Sequence, residues 1–147
     1  MSTRRMFQIA TLGLIFTAVT ACSKPRSTDD SCARCHMTIK PGDLHVTYIT
    51  YADGSDAHFD ATICALHLWQ HPPAGHTPRA MRVHEYYDGG MRNAANIMLV
   101  RDSDVAGPMG ADYIAVDPAN LKKFQADHGG TAFKLADIKL ASPEGEP

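Results

Sequence analysis

Between residues 32 and 37 the chain reads Cys32-Ala33-Arg34-Cys35-His36-Met37, which packs two thiols, an imidazole and a thioether into one short segment. Cu(I) is a soft ion that prefers thiolate and thioether sulfur. In an extended segment residues two apart point to the same side, so Cys35 and Met37 would present two sulfurs to one ion with His36 opposite. The bound metal itself would deprotonate the thiol. The same residues also spell C-x-x-C-H, the attachment pattern of c-type haem, with Cys32 and Cys35 as thioethers, His36 as axial ligand and Met109 as distal ligand. A third arrangement is tetrahedral zinc on Cys32, Cys35, Cys64 and one histidine. The plainest is a Cys32–Cys35 disulfide, or two inert thiols.

The rest of the composition narrows these choices. The chain has four cysteines, eight histidines and seven methionines. Setting Cys22 aside leaves an odd number of cysteines, which in an oxidising compartment points to a free or metal-bound thiol. His67 and His71 lie four apart on an expected helix with His76 nearby, a chelating spacing that also suits solvated residues at a helix end. No basic patch or arm of the kind nucleic acid requires is present, and Arg4 and Arg5 are the only charges in residues 1–21, so the remainder is more acidic than the overall −2. No acid–base pair, Ser/His/Asp order or glycine-rich phosphate loop appears, and nothing argues for an enzyme.

The first 21 residues read as an export leader rather than part of the fold. Arg4 and Arg5 precede an apolar run over residues 7–21 that is shorter than the ~20 residues a membrane-spanning helix needs. The run ends Val19-Thr20-Ala21-Cys22, which resembles the lipobox of bacterial lipoproteins. That resemblance implies a lipid on Cys22 and a chain held at a membrane of the bacterial cell envelope, facing the periplasm. Ser23 after the acylated cysteine favours the outer membrane, by resemblance to lipoprotein sorting. Residues 22–31 read as a flexible tether, 32–141 as one domain and 142–147 as a loose tail. A domain of this size buries about two-thirds of its surface.

The elements that must position the sulfurs are strands and two helices. Residues 44–51 favour a strand, Asp53-Gly54 a hairpin turn and residues 57–59 the returning strand. Asp60 is placed to cap a helix through Trp69 that Pro72 and Pro73 stop. On that helix Ala61, Cys64, Ala65 and Leu68 share a face, which makes Cys64 a buried structural thiol. A second pass repeats the order: strands at 81–86 and 97–101, then a helix opened by Asp117-Pro118, lined by Leu121 and Phe124 and ended at Gly129-Gly130. Residues 131–135 form a closing strand. The expected fold is α+β, with two strand–strand–helix units and no sequence repeat.

Three segments together resemble the NosL family, the lipoprotein copper chaperones of nitrous oxide reductase. They are Cys32-x-x-Cys35-x-Met37-x-Ile39, then Phe59-Asp60-Ala61-Thr62-Ile63-Cys64, then Pro108-Met109-Gly110 followed by the helix–Gly-Gly–strand block over 120–138. The family pattern often has glycine where this chain has His36. The resemblance implies two related ββα modules facing each other, an arrangement also seen in organomercurial lyase. It implies Cu(I) held by Cys35 and Met37, with Cys32, His36 and Met109 as further candidate ligands. It also implies a copper-delivering partner role toward apo nitrous oxide reductase or another periplasmic copper protein.

Overall fold

A computed structural model of the protein describes residues 31–40 and 42–141. The expected leader, Cys22, the tether apart from Ser31, and the tail lie outside the described residues.

The first strand, β1 (Thr47–Tyr51), buries Thr47, Ile49 and Tyr51 and turns the alternate residues outward, the period of two that a strand imposes. The expected Asp53-Gly54 turn forms. Gly54 takes a positive φ of 82°, and the Asp53 carboxylate accepts from Ser55 N–H. It returns the chain as β2 (Asp56–Phe59), antiparallel to β1 with Thr47 opposite Phe59. Helix α1 (Thr62–Gln70) follows, and the prolines after His71 end it as expected. Next, β3 (Pro78–His84) pairs with the free side of β1, and β4 (Met91–Asn93) extends the sheet to the order β2-β1-β3-β4.

The second half is wired in the same way. β5 (Met98–Ser103) is flanked by β6 (Ile114–Val116) and by β7 (Gly129–Phe133), with α2 (Leu121–His128) between β6 and β7 in sequence. The order β6-β5-β7 reproduces β2-β1-β3. The α+β class and its paired ββα modules therefore hold, each module closed by a third strand. Two assignments differ from expectation. The 81–86 stretch closes the first unit instead of opening the second, and the second unit's partner strand is β6. Ile114, Ala115 and Val116 are all buried, so this strand shows no alternation to read.

One core serves both units. Ile49, Phe59, Met81 and Val83 of the first sheet and Cys64, Ala65 and Leu66 of α1 cluster with Leu99, Tyr113 and Ala115 of the second unit. The opposite face of the second sheet, with Val100, Ile114 and Val116, packs on Phe124 of α2. Both faces of that sheet are thus covered. Polar ties reinforce the join. Tyr86 N–H donates to the Ala115 carbonyl at 2.9 Å, and the buried Glu85 carboxylate accepts from the backbone N–H groups of Tyr87, Asp88 and Asp117.

The start of α1 departs from expectation. Its N-cap is Ala61, and the capping carboxylate comes from Asp112 in the other unit, not from Asp60. Asp112 accepts from Thr62 N–H at 3.1 Å and Ile63 N–H at 2.7 Å, two donors that a helix leaves without internal partners. It also accepts from Tyr113 N–H at 2.8 Å. The helix α2 begins later than Asp117-Pro118: Asp117 accepts from Ala119 N–H across a turn, and the helix starts at Leu121.

Candidate metal centre

The segment 31–38 is a closed turn, not the extended run expected of it. Ser31 bridges Thr38, Cys32 N–H donates to the Met37 carbonyl at 2.8 Å, and His36 N–H returns to the Cys32 carbonyl at 3.0 Å. His36 sits at φ 61°, in the left-handed region that favours glycine. Ala33 N–H donates to the His58 carbonyl at 2.8 Å and fastens the turn to β2. The turn carries Cys32 inward, where it is fully buried, and leaves Cys35 half-buried above it.

Opposite the turn stands the start of α1. Cys64, one turn into the helix, is fully buried, and Asp60, just before it, is buried as well. The Sγ atoms of Cys32, Cys35 and Cys64 and a carboxylate oxygen of Asp60 all lie within 4.8 Å of one another. The Cys35 thiol donates to Asp60 Oδ1 at 3.3 Å, while Asp60 Oδ2 is buried with no hydrogen-bond partner. All three cysteines are free thiols.

The second unit contributes the lid of this cluster. Gly107 and Gly110 exchange two backbone hydrogen bonds around Pro108-Met109, a tight turn that holds Met109 out. A Cβ on Gly107 would meet Asp112 Cβ at 2.7 Å, so this position admits glycine because the capping aspartate packs against it. Met109 is half exposed, and the Cys64 thiol lies 3.7 Å from its Sδ. Met37 is also exposed. It borders a cleft of about 380 Å³ together with Asp60, His45, Gly107 and Pro108. Arg34 Nη1 approaches Cys64 Sγ at 4.0 Å.

The thiols differ in acidity. A hydrogen bond from Cys64 is the main reason the Cys32 thiol is lowered to about 6, against its burial; the backbone N–H groups of Cys35 and Arg34 also donate to it. The same contact, with burial, pushes Cys64 up. Burial raises Cys35 too, opposed by the Met37 N–H that donates to its sulfur. Cys32 is therefore the most acidic thiol of the trio, and a soft cation would displace protons from whichever sulfurs still carry them.

The structure thus gathers Cys32, Cys35, Cys64 and Met109 at one place, with Met37 on the rim of the neighbouring cleft. The side chain of His36 and the residues His67, His71 and His76 are not members of the cluster. Cys64 is both the core thiol expected from the helix stripe and a cluster member. An aspartate before a helix ordinarily caps it, so the sequence points Asp60 to that role; its spacing of four from Cys64 is the available sign of a shared site.

This architecture defines a small two-module α+β domain with a thiol-rich group at the junction of its modules. The NosL family model matches residues 24–142, and the chain belongs to the NosL family. The crystal structure of the copper chaperone NosL from Shewanella denitrificans superposes with a TM-score of 0.64, covering 76% of this chain and 91% of that chain at 17% sequence identity, a likeness of fold. Among curated proteins no sequence match is found.

Proposed function

We propose that the protein is a membrane-anchored Cu(I) carrier, not a catalyst, which delivers copper for assembly of the copper centres of nitrous oxide reductase. The observation that carries this reading is the convergence of three free thiols with the Met109 thioether beside an exposed Met37. Such a set is matched to a soft monovalent ion. Family membership and the copper-chaperone name of the Shewanella denitrificans structure support it. Cys35 is the anchor in this reading, because it is the cysteine of the trio that reaches the surface, and Met37 is the weaker, exchangeable ligand. A recipient's sulfur or imidazole could then enter at the exposed rim before Cys35 leaves. The lipid on Cys22 would hold the carrier at the envelope membrane, facing the periplasm.

Sulfur ligation is favoured over covalent haem on geometric grounds. Thioether bonds at Cys32 and Cys35 need an open face over both sulfurs, and Cys32 is fully buried against Cys64.

The test is a Cu(I) titration of the reduced protein against a chromophoric chelator. One tightly held Cu(I) per chain is expected. Cys35→Ser abolishes tight binding, and Met37→Leu weakens it by about tenfold, equivalent to ~1.4 kcal/mol. Unchanged affinity in Cys35→Ser removes the model. In cells, loss of the protein should leave nitrous oxide reductase copper-poor, with wild type but not Cys35→Ser restoring it. Cys22→Ser should release the protein from membranes.

A further inference from the structure

We infer that His84 and Met91 form a second Cu(I) site, on the outer face of the first sheet, with an imidazole and a thioether as its protein ligands. It shares no residue with the thiol cluster and stands whether or not that cluster carries copper.

Placement is the first support. Among the described residues three methionines are exposed. Met37 and Met109 border the thiol cluster, while Met91, 39% exposed, lies apart from it on β4. His84 ends β3 and pairs with Met91 across the hairpin. Val83 is buried, so His84 projects to the opposite, outer face, and its cross-strand partner shares that face. The next rung of the ladder is the bond from Glu85 N–H to the Gly90 carbonyl at 2.9 Å. His84 and Met91 therefore fall between rungs, where opposed side chains stand closest. Side chains rooted ~5 Å apart can bring both donor atoms to one ion.

The imidazole is prepared for ligation. His84 Nδ1 lies 2.9 Å from the Gly89 carbonyl, which only accepts, so in the neutral ring Nδ1 carries the proton and Nε2 keeps its lone pair. Metal-binding histidines are commonly fixed in this way. The hairpin that carries both ligands is itself tied down. Gly89 N–H returns to the Glu85 carbonyl at 2.9 Å, and the buried Glu85 carboxylate accepts from Tyr87 and Asp88 N–H. An ion meets a pre-set pair and has no loop to order.

The donor set selects the ion. An imidazole and a thioether, both neutral, suit soft Cu(I) and offer nothing to cations that seek carboxylates. The acids of the turn are engaged elsewhere, Asp88 by Gly90 N–H and the Arg92 guanidinium, Glu85 by backbone N–H groups. Arg82, on the same face, lies over the Tyr48 ring on the side away from β4. Lacking a thiolate, the pair holds Cu(I) less tightly than the thiol cluster and fills after it. A cleft of about 420 Å³ opens beside His84 and shares Lys40 and Asp43 with the cleft at Met37, so the two sites are neighbours on one surface.

The experiment uses the full-length chain, isotopically labelled at the methionine methyls, reduced and anaerobic, titrated with Cu(I) alone and followed by NMR. The Met37 methyl is expected to shift with the first equivalent and the Met91 methyl with the second. Met91→Leu should remove the second equivalent and keep the first, and His84→Asn should leave the Met91 methyl unmoved by the same addition. Cys35→Ser should lose the tight equivalent and keep the Met91 shift. A Met91 methyl that stays still through the second equivalent, while Met37 responds, overturns this site and leaves the thiol carrier intact. A Met91 methyl that moves as far in a folded His84→Asn chain overturns it equally. Should His84→Asn disturb the fold, as read by circular dichroism, Met91→Leu decides, and a second equivalent retained there overturns the site. A Met91 shift that depends on His84, in a wild-type chain with no tight equivalent, would support this site and remove the thiol carrier.

Discussion

His36 holds a backbone conformation that costs an L-residue about 1 kcal/mol relative to glycine, and no hydrogen bond from its ring offsets this among the described residues. His36→Gly is expected to raise stability by ~1 kcal/mol, measured by denaturant unfolding of the reduced protein, with Cu(I) affinity preserved. A fall in Cu(I) affinity instead would make the imidazole a ligand. At this scale much of the candidate site was visible beforehand. Cys32 and Cys35 follow from the C-x-x-C-H spacing, Met109 from the haem alternative and the family resemblance, and Cys64 from the zinc alternative. What the spacing could not give was their arrangement. The pairing of Cys35 with Met37 assumed an extended chain, and the closed turn instead sets Cys35 toward Asp60. The place of Asp60 beside the thiols is not legible in the sequence, because one side chain type serves both capping and ligation, and only the tertiary neighbours decide which.

Helix α1 is short and takes its N-terminal cap from Asp112 in the second unit. Asp112→Ala removes the acceptor of three backbone N–H groups and the favourable charge at the helix start, and should cost ~2 kcal/mol, seen as a lower thermal midpoint. Asp112→Asn should cost less, since the amide oxygen still accepts. At the other end of the second unit, Gly130 lies at φ 92°, and a Cβ there would meet Val100 Cγ1 at 2.7 Å and the Arg101 carbonyl at 2.8 Å. Gly130→Ala should therefore destabilise by ~2–3 kcal/mol, because backbone as well as side chain must shift. An equal stability would mean that β7 can slide on β5. Gly129-Gly130 and the Pro72-Pro73 pair are legible as stops, since their backbone chemistry is local. β6 was not, because a strand covered on both faces loses the alternation by which strands are recognised.

Across the whole molecule the two units meet at His45 and Asp112. His45 Nδ1 lies 3.6 Å from Asp112 Oδ2, and that contact raises the histidine above its ordinary 6.5. A raised histidine stabilises the fold fully below its unfolded value and loses that contribution as pH climbs through the higher folded value. Wild type should thus exceed His45→Gln in thermal midpoint by most near pH 6, with the gap closing on the alkaline side; a gap independent of pH would reduce the contact to packing. The repeated order β2-β1-β3 and β6-β5-β7 was foreseen as two similar units, but the division between them was misplaced, since a strand's neighbour in the sheet is not its neighbour in sequence. That layout also sets a schedule. The ribosome releases Cys32, Cys35 and Cys64 well before the turn that carries Met109 and Asp112, and Asp112 follows Thr62 by 50 residues. At synthesis rates of ~5–20 residues per second the delay is roughly 3–10 s. Throughout it α1 lacks its cap and the sulfurs lie open to any passing oxidant or ion, so the newborn chain's thiols are at their most vulnerable just before the second unit arrives to shelter them.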